Sequence, residues 1–195
     1  MYYNRFFIKS GFAPIAKYFS SVDTQLQFGI PEVLQREAQL IEVGMTVREI
    51  NLNDFESELR RMFQFNEMAF QKNFLYTPIA WETFYGKYAE AKKFINPEFV
   101  LIAEDERKEI IGFVFCVDDI FNQTEKSLIV KTIARHPDNK WGGLGHVIAN
   151  TIVKRAVRKG YKSVVHAFVS DQGTSVKISK NYLGELYKNY TLYGK

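Results

Sequence analysis

Three glycines in four positions, Gly142, Gly143 and Gly145, stand between an apolar run at 127–134 and an apolar stripe that opens at Leu144. A strand that enters a helix through such a loop turns several backbone amides toward one external point. The helix N-terminus adds roughly half a positive charge there, so the guest that suits it is a phosphate or pyrophosphate. The surrounding charge agrees. From Asn139 to Ser170 there is no acidic residue, while Lys140, Lys154, Arg155, Arg158, Lys159 and Lys162 are basic, a field that favours a polyanion. A Gly-rich turn beside a solvated basic helix face would look the same, and the glycines alone leave both readings open. Two nucleotide patterns are excluded. No Gly-x-x-x-x-Gly-Lys-Ser/Thr run exists, and the dinucleotide fingerprint would need a third glycine where Ile148 stands.

The elements around the loop can be read from periodicity. Residues 31–42 predict a short helix closed by Gly44, and 45–50 a strand. Asn53, with Glu56 three positions on, reads as a capping box for a helix carrying Phe55, Leu59, Met62, Phe63 and Phe70. A second aromatic helix is predicted over 80–94. Strands at 99–103 and 110–117 flank the charged turn 104–108, and 127–134 is a third. A helix follows at 143–160, then a strand at 163–169, a short helix near 174–182 and a last strand at 186–193. From residue 45 the order is β-α-α-β-β-β-α-β-α-β, which mixes hairpin and crossover connections around one central sheet and predicts the α/β or α+β class.

With 195 residues, 46% of them hydrophobic, the chain has material for one core plus a short appendage, and global disorder is excluded. Cys116 is the only cysteine. That removes a disulfide framework and a cysteine-based zinc site, no metal site is expected, and a reducing, cytoplasmic setting follows. No run approaches the ~18–20 apolar residues that cross a bilayer, so no membrane partner is expected.

Lys140-Trp141-Gly142-Gly143-Leu144-Gly145 resembles the acyl-CoA pyrophosphate loop of the GNAT (Gcn5-related N-acetyltransferase) superfamily, Arg/Gln-x-x-Gly-x-Gly/Ala. The strand leading into Ile133-Ala134-Arg135-His136-Pro137 resembles that family's central strand and its His-Pro exit, and the element order over 45–195 matches as well. The resemblance implies a central mixed, mostly antiparallel sheet flanked by helices, and acetyl-CoA or another acyl-CoA as co-substrate. The amides of Trp141, Gly142, Gly143, Leu144, Gly145 and His146 would cradle the pyrophosphate, with Lys140 keeping a donor where the family has Arg or Gln. The backbone of Ile133 and Arg135 would pair with the pantetheine arm like an added strand.

The family's reaction is attack of an amine on the thioester, which needs a base for the amine's proton and commonly a tyrosine to protonate the thiolate. Here Gln172-Gly173-Thr174-Ser175 and Leu183-Gly184 place Ser179 where the family has that tyrosine, leaving nearby Tyr182 as the candidate acid. Candidate bases are His166 and Asp118, then His136, Asp119 and Glu67. For His166 and His136 a purely structural role stays open. Cys116 reads as a small buried residue, and the rings of 55–70 and 80–94 as core with an acceptor wall.

The two chain ends are also alike. Residues 2–19 can be laid on the C-terminus with Phe12 over Gly184 and Tyr18 over Tyr190, resembling the family's closing helix, Gly-Phe turn and last strand. Residues 1–44 are thus expected to be an extension, its first part the tail of a preceding GNAT-like unit that packs on the main domain or another subunit, and 45–195 the acyltransferase domain. A small-molecule or peptide amine is the expected acceptor, and a homo-oligomer is left open. A module that keeps the CoA loop without turnover is the alternative. A nucleic-acid partner is disfavoured, because the basic helix at 154–162 lacks interleaved exposed aromatics.

Overall fold

The alternation of the apolar residues fixes which side of the sheet each helix covers. In the computed structural model, which describes residues 2–171, 178 and 184–195, the elements in order are α1 (Tyr2–Lys9), β1 (Ala13–Asp23), α2 (Pro31–Glu42), β2 (Thr46–Glu49), α3 (Phe55–Phe70), α4 (Trp81–Ala89), β3 (Val100–Glu104), β4 (Ile110–Asp118), β5 (Ser127–Arg135), α5 (Leu144–Arg158), β6 (Ser163–Ser170) and β7 (Glu185–Gly194). The strands form one seven-stranded sheet in the order β2-β3-β4-β5-β6-β1-β7. Only β5 and β6 run parallel; the other pairs are antiparallel.

Period-two alternation sends Leu101 and Ala103 of β3 to one face and Val100 and Ile102 to the other. The first pair packs with Leu40 of α2 and Leu144, Ile148 and Ile152 of α5. The second packs with Phe55, Leu59, Met62 and Phe65 of α3 and Phe84 of α4. Both faces are covered, which is why β3 and β4 read as nearly continuous apolar runs. An ion network ties the far edge together: Arg48 of β2 reaches Glu58 of α3 at 2.7 Å and Glu104 of β3 at 2.7 Å, and Arg61 joins Glu104 at 2.9 Å. Glu58 and Glu104 are buried, so the guanidinium groups offset the desolvation of both carboxylates.

Two local expectations are corrected. Asn51, not Asn53, provides the cap: its side chain accepts from the Asn53 amide and starts a 3-10 turn over Leu52–Asp54, and α3 begins only at Phe55 without a side-chain cap. The second aromatic helix ends at Ala89, and a separate 3-10 turn covers Lys92–Phe94. Of the helix expected near 174–182, only Ile178 is among the described residues.

Part of the expected N-terminal extension joins the same sheet and core. β1 is inserted between β6 and β7, with Tyr18 opposite Ser170 on one side and Tyr190 on the other. Phe7 of α1 stacks on Tyr193 with ring centroids 4.9 Å apart. Val33 and Leu40 of α2 are buried against the α5 side of the core.

Candidate functional site

The site is built around β5. That strand pairs with β4 from Gly112↔Arg135 to Asp118↔Leu128, with one irregularity: Phe115 faces Thr132, but Cys116 faces Val130. Lys131 is therefore an extra residue, a β-bulge in the central strand. The bulge aims two successive side chains at the α3–α4 face. The Lys131 ammonium stands 5.1 Å above the Tyr88 ring and 5.7 Å from that of Phe115, and Thr132 borders a cavity shared with Phe113 and Phe115.

On its other side β5 has a partner only in part. β6 pairs with it from Ser127↔Ser163 to Val130↔His166, and the ladder then ends. The His136 amide donates to the Ile111 carbonyl at 2.7 Å. By antiparallel alternation the groups of Ala134 also turn toward β4, while those of Ile133 and Arg135 turn into the gap. Where the strands part there is a cleft of about 790 Å³. Val130 to Arg135 form one wall and His166 to Ser170 the other; Ala149, Ile152 and Val153 of α5 lie at one end, and Phe70, Lys72 and Phe74 after α3 at the other. Tyr18 of the inserted strand also lines it.

The glycine loop sits at the exit of β5, beyond Pro137. Asn139–Trp141 form a 3-10 turn, capped by the Asp138 side chain accepting from the Lys140 amide, and Gly143 has φ 84° before α5 begins. That positive φ is where a residue with a Cβ is strained. A Cβ on Gly143 would also lie 2.9 Å from Cγ of Arg36. Gly112 allows the second close approach: a Cβ there would meet Leu144 at 2.8 Å and the Ala134 carbonyl at 2.9 Å, so its absence lets α5 begin directly against β4 and β5.

Of the six amides expected to form a cradle, three are already engaged. Trp141 donates to Asp138, Gly142 to Asn139 and His146 to Gly143. Those of Gly143, Leu144 and Gly145 have no acceptor among the described residues. Trp141 is buried in the α5-side core, and Lys140 lays its ammonium 4.6 Å from that ring. Gly145 faces Ile178, which lines the cleft. Arg36 of α2 holds the loop from behind, its Nε donating to the Gly142 carbonyl at 2.7 Å and Nη2 to that of Lys140 at 2.8 Å. Arg135 does the same on the entry side through the His136 and Asp138 carbonyls.

The candidate proton-transfer groups are dispersed. His166 lines the cleft and is buried, and burial lowers its imidazole to about 4. Asp118 lies elsewhere: it accepts from the Tyr161 hydroxyl and borders a separate surface depression with Asp119 and Glu125. His136 accepts the Asp138 amide on Nδ1 at 3.2 Å, inside the turn before the loop. Cys116 is buried, and desolvation raises its thiol far above the ordinary value. Tyr182 and Ser179 lie outside the described residues. No group of three or more His, Cys, Asp or Glu side chains placed to hold a metal occurs among the described residues, and among them no helix is long and apolar enough to cross a membrane.

Sequence reading missed Arg36, Tyr18, the Lys131 bulge and Asn66, whose place beside Thr132 is described below. Only the bulge left a trace, in the polar pair Lys131-Thr132 that breaks the alternation of an otherwise apolar strand.

No protein-family model matches this sequence, nor does any curated protein. Solved structures do match. A GCN5-related glucosamine N-acetyltransferase region of a fungal multi-domain beta-N-acetylglucosaminidase superposes with a TM-score of 0.71 at 12% identity, covering 98% of this chain and 22% of that one. A GCN5-related N-acetyltransferase from Sphaerobacter thermophilus gives 0.70 at 15%, covering 98% and 55%. A tandem GNAT protein from the clavulanic acid biosynthesis pathway gives 0.62 at 11%, covering 98% and 57%. The fold is that of the GCN5-related N-acetyltransferases, and this chain spans little more than half, or less, of each of these proteins.

The depressed His166 has a measurable consequence for stability. The unfolded chain takes up a proton near pH 6.5, which the folded imidazole resists until about 4, so its contribution is fully present above 6.5 and is lost as pH falls toward 4. Unfolding in urea should show a loss on the order of 2–3 kcal/mol over that window that is absent in His166→Gln. Equal pH slopes for both proteins would show that the ring is not held neutral.

Proposed function

We propose that the chain is an acyl-CoA-dependent N-acyltransferase that moves an acetyl or similar acyl group from CoA to an amine. The observation that carries this reading is the parting of β5 and β6 beside three amides that have no acceptor among the described residues. The inward groups of Ile133 and Arg135 offer strand-type hydrogen bonds to an extended amide-bearing arm. The amides of Gly143, Leu144 and Gly145 point at one place at a helix N-terminus, with Lys140 close by, as a pyrophosphate requires. The fold adds weight, since proteins that share it usually bind acyl-CoA.

In the reaction a neutral amine attacks the thioester carbonyl carbon. An N–C bond forms, the C–S bond breaks, and CoA leaves as a thiolate. The nitrogen gives up a proton to His166 or to water, and the thiolate takes one from Tyr182 or from water. His166 stays neutral through the physiological range and accepts a hydrogen bond from the incoming amine in that state. The acidic limb of any His166-dependent rate therefore falls near 4 rather than 6.5. Asp118 is a weaker candidate, because the Tyr161 hydroxyl already occupies its carboxylate. The basic helix favours a nucleic-acid role even less: Arg155 is paired with Glu49 at 2.6 Å and Lys159 with Glu98 at 2.8 Å.

We also infer that residues 1–30 are the equivalent of the closing helix and last strand of a second GNAT-like unit. Overlaying Tyr18 on Tyr190 makes position 17 equivalent to 189 and 19 to 191. In the sheet Tyr18 faces Tyr190, Lys17 faces Thr191 and Phe19 faces Asn189, so the ladder is two-fold symmetric under that overlay. Replacing residues 2–23 by a copy of 174–195 should leave one cooperative thermal transition; a chimera that no longer folds overturns the equivalence.

Calorimetric titration with acetyl-CoA, with Gly143→Asp as the control, tests the main reading. Saturable binding that the carboxylate abolishes is the expected result, and CoA release across a panel of amines then separates an enzyme from a module that only binds. No binding by well-folded wild type removes the reading.

A further inference from the structure

A second, smaller cavity adjoins the cleft on the α3–α4 face of the sheet, among the rings expected to form core and acceptor wall. It measures about 150 Å³, a size that admits a benzene ring. Its walls are mostly rings, among them Phe70 at the end of α3, Phe84 and Tyr88 of α4, and Phe115 of β4. Phe84 and Tyr88 lie 4.8 Å apart, and Tyr88 meets Phe115 edge-on at 5.6 Å. Two residues, Phe70 and Thr132, border both this cavity and the cleft. Thr132 is one of the two side chains that the bulge in β5 directs to this side.

One polar group in the wall has nothing to bind. Asn66, on α3, contributes to the cavity, and its Oδ1 is buried without a hydrogen-bond partner among the described residues. A buried carbonyl left in that state keeps the cost of its desolvation with no bond to offset it. An aromatic cavity with one unmet acceptor is complementary to a ring that carries one donor. At the side of the cleft, the Lys131 ammonium over Tyr88 and Phe115 repels a protonated amine and so favours the neutral, nucleophilic form.

Resting on the acyltransferase reading, we propose that this cavity is the acceptor subsite, and that the acceptor is a primary arylalkylamine whose ring bears a hydroxyl. The ring fills the space between α3, α4 and β4, the hydroxyl donates to Asn66 Oδ1, and the amine projects past Thr132 and Phe70 into the cleft, where the thioester is attacked as above.

The test has a binding arm and a turnover arm, both on the whole chain. In calorimetry, p-cresol should bind about tenfold more tightly than 4-methylanisole, which has no donor, and Asn66→Leu should erase that preference. In turnover with acetyl-CoA, tyramine should exceed phenethylamine by a similar factor in kcat/KM, and Asn66→Leu should level the two while acetyl-CoA affinity stays unchanged. If Asn66→Leu does not fold, the wild-type comparison of each pair still decides. Equal binding of p-cresol and 4-methylanisole overturns the subsite, even where other amines are acetylated and the acyltransferase reading stands. Selective p-cresol binding with no transfer to any amine leaves a phenol site and removes the acyltransferase reading, and with it the acceptor role.

Discussion

Backbone amides and carbonyls inside a sheet must find partners, and β5 is the central strand that is denied them. Four residues of parallel pairing with β6 hold it in place, from Ser127↔Ser163 to Val130↔His166; past that point Ile133 and Arg135 face a gap. Such an edge is tolerated on a surface, but in mid-sheet it is a vacancy for another strand-like chain. The gap persists because each side is held by something else. β5 stays on β4 to its end, α5 starts tight against Gly112 through Leu144, and β6 is drawn away onto the inserted β1. The N-terminal strand thus pairs with the β6 side of the gap and lends Tyr18 to the cleft wall.

The same strand divides the labour of the two faces. On the α5 side, Arg36 and Arg135 pin the carbonyls of the glycine loop, which leaves the donors of Gly143, Leu144 and Gly145 turned outward. On the α3–α4 side, the extra residue at Lys131 brings Lys131 and Thr132 to a ring-lined hollow. The loop and the ring-lined hollow thus lie on opposite faces of the sheet, and both border the place where β5 and β6 part. Burial of His166 at that junction keeps the ring neutral at ordinary pH.

Much of this was legible in the residues. The described strands from 45 onward, with α3 and α5, follow from periodicity, and Gly142-Gly143-Leu144-Gly145 after Ile133-Ala134-Arg135 marked the loop, because glycine content and helix onset are local properties. What escaped was non-local. Arg36 lies far from the loop in sequence, and nothing in Gln35-Arg36-Glu37 signals that a guanidinium reaches Gly142. The insertion of β1 between β6 and β7 is a long-range pairing, though the likeness of the two chain ends pointed to that pair of strands. Asn53 in place of Asn51 is a shift of two residues, decided by which side chain the backbone leaves free to cap.

The most direct measurement of the central claim is amide hydrogen exchange with and without CoA, read residue by residue. The account predicts slowed exchange at Gly143, Leu144 and Gly145 and at Ile133 and Arg135, with little change at Trp141 and Gly142, whose donors are already engaged within the loop. Protection confined to the basic surface of α5, with Ile133 and Arg135 unchanged, would contradict it.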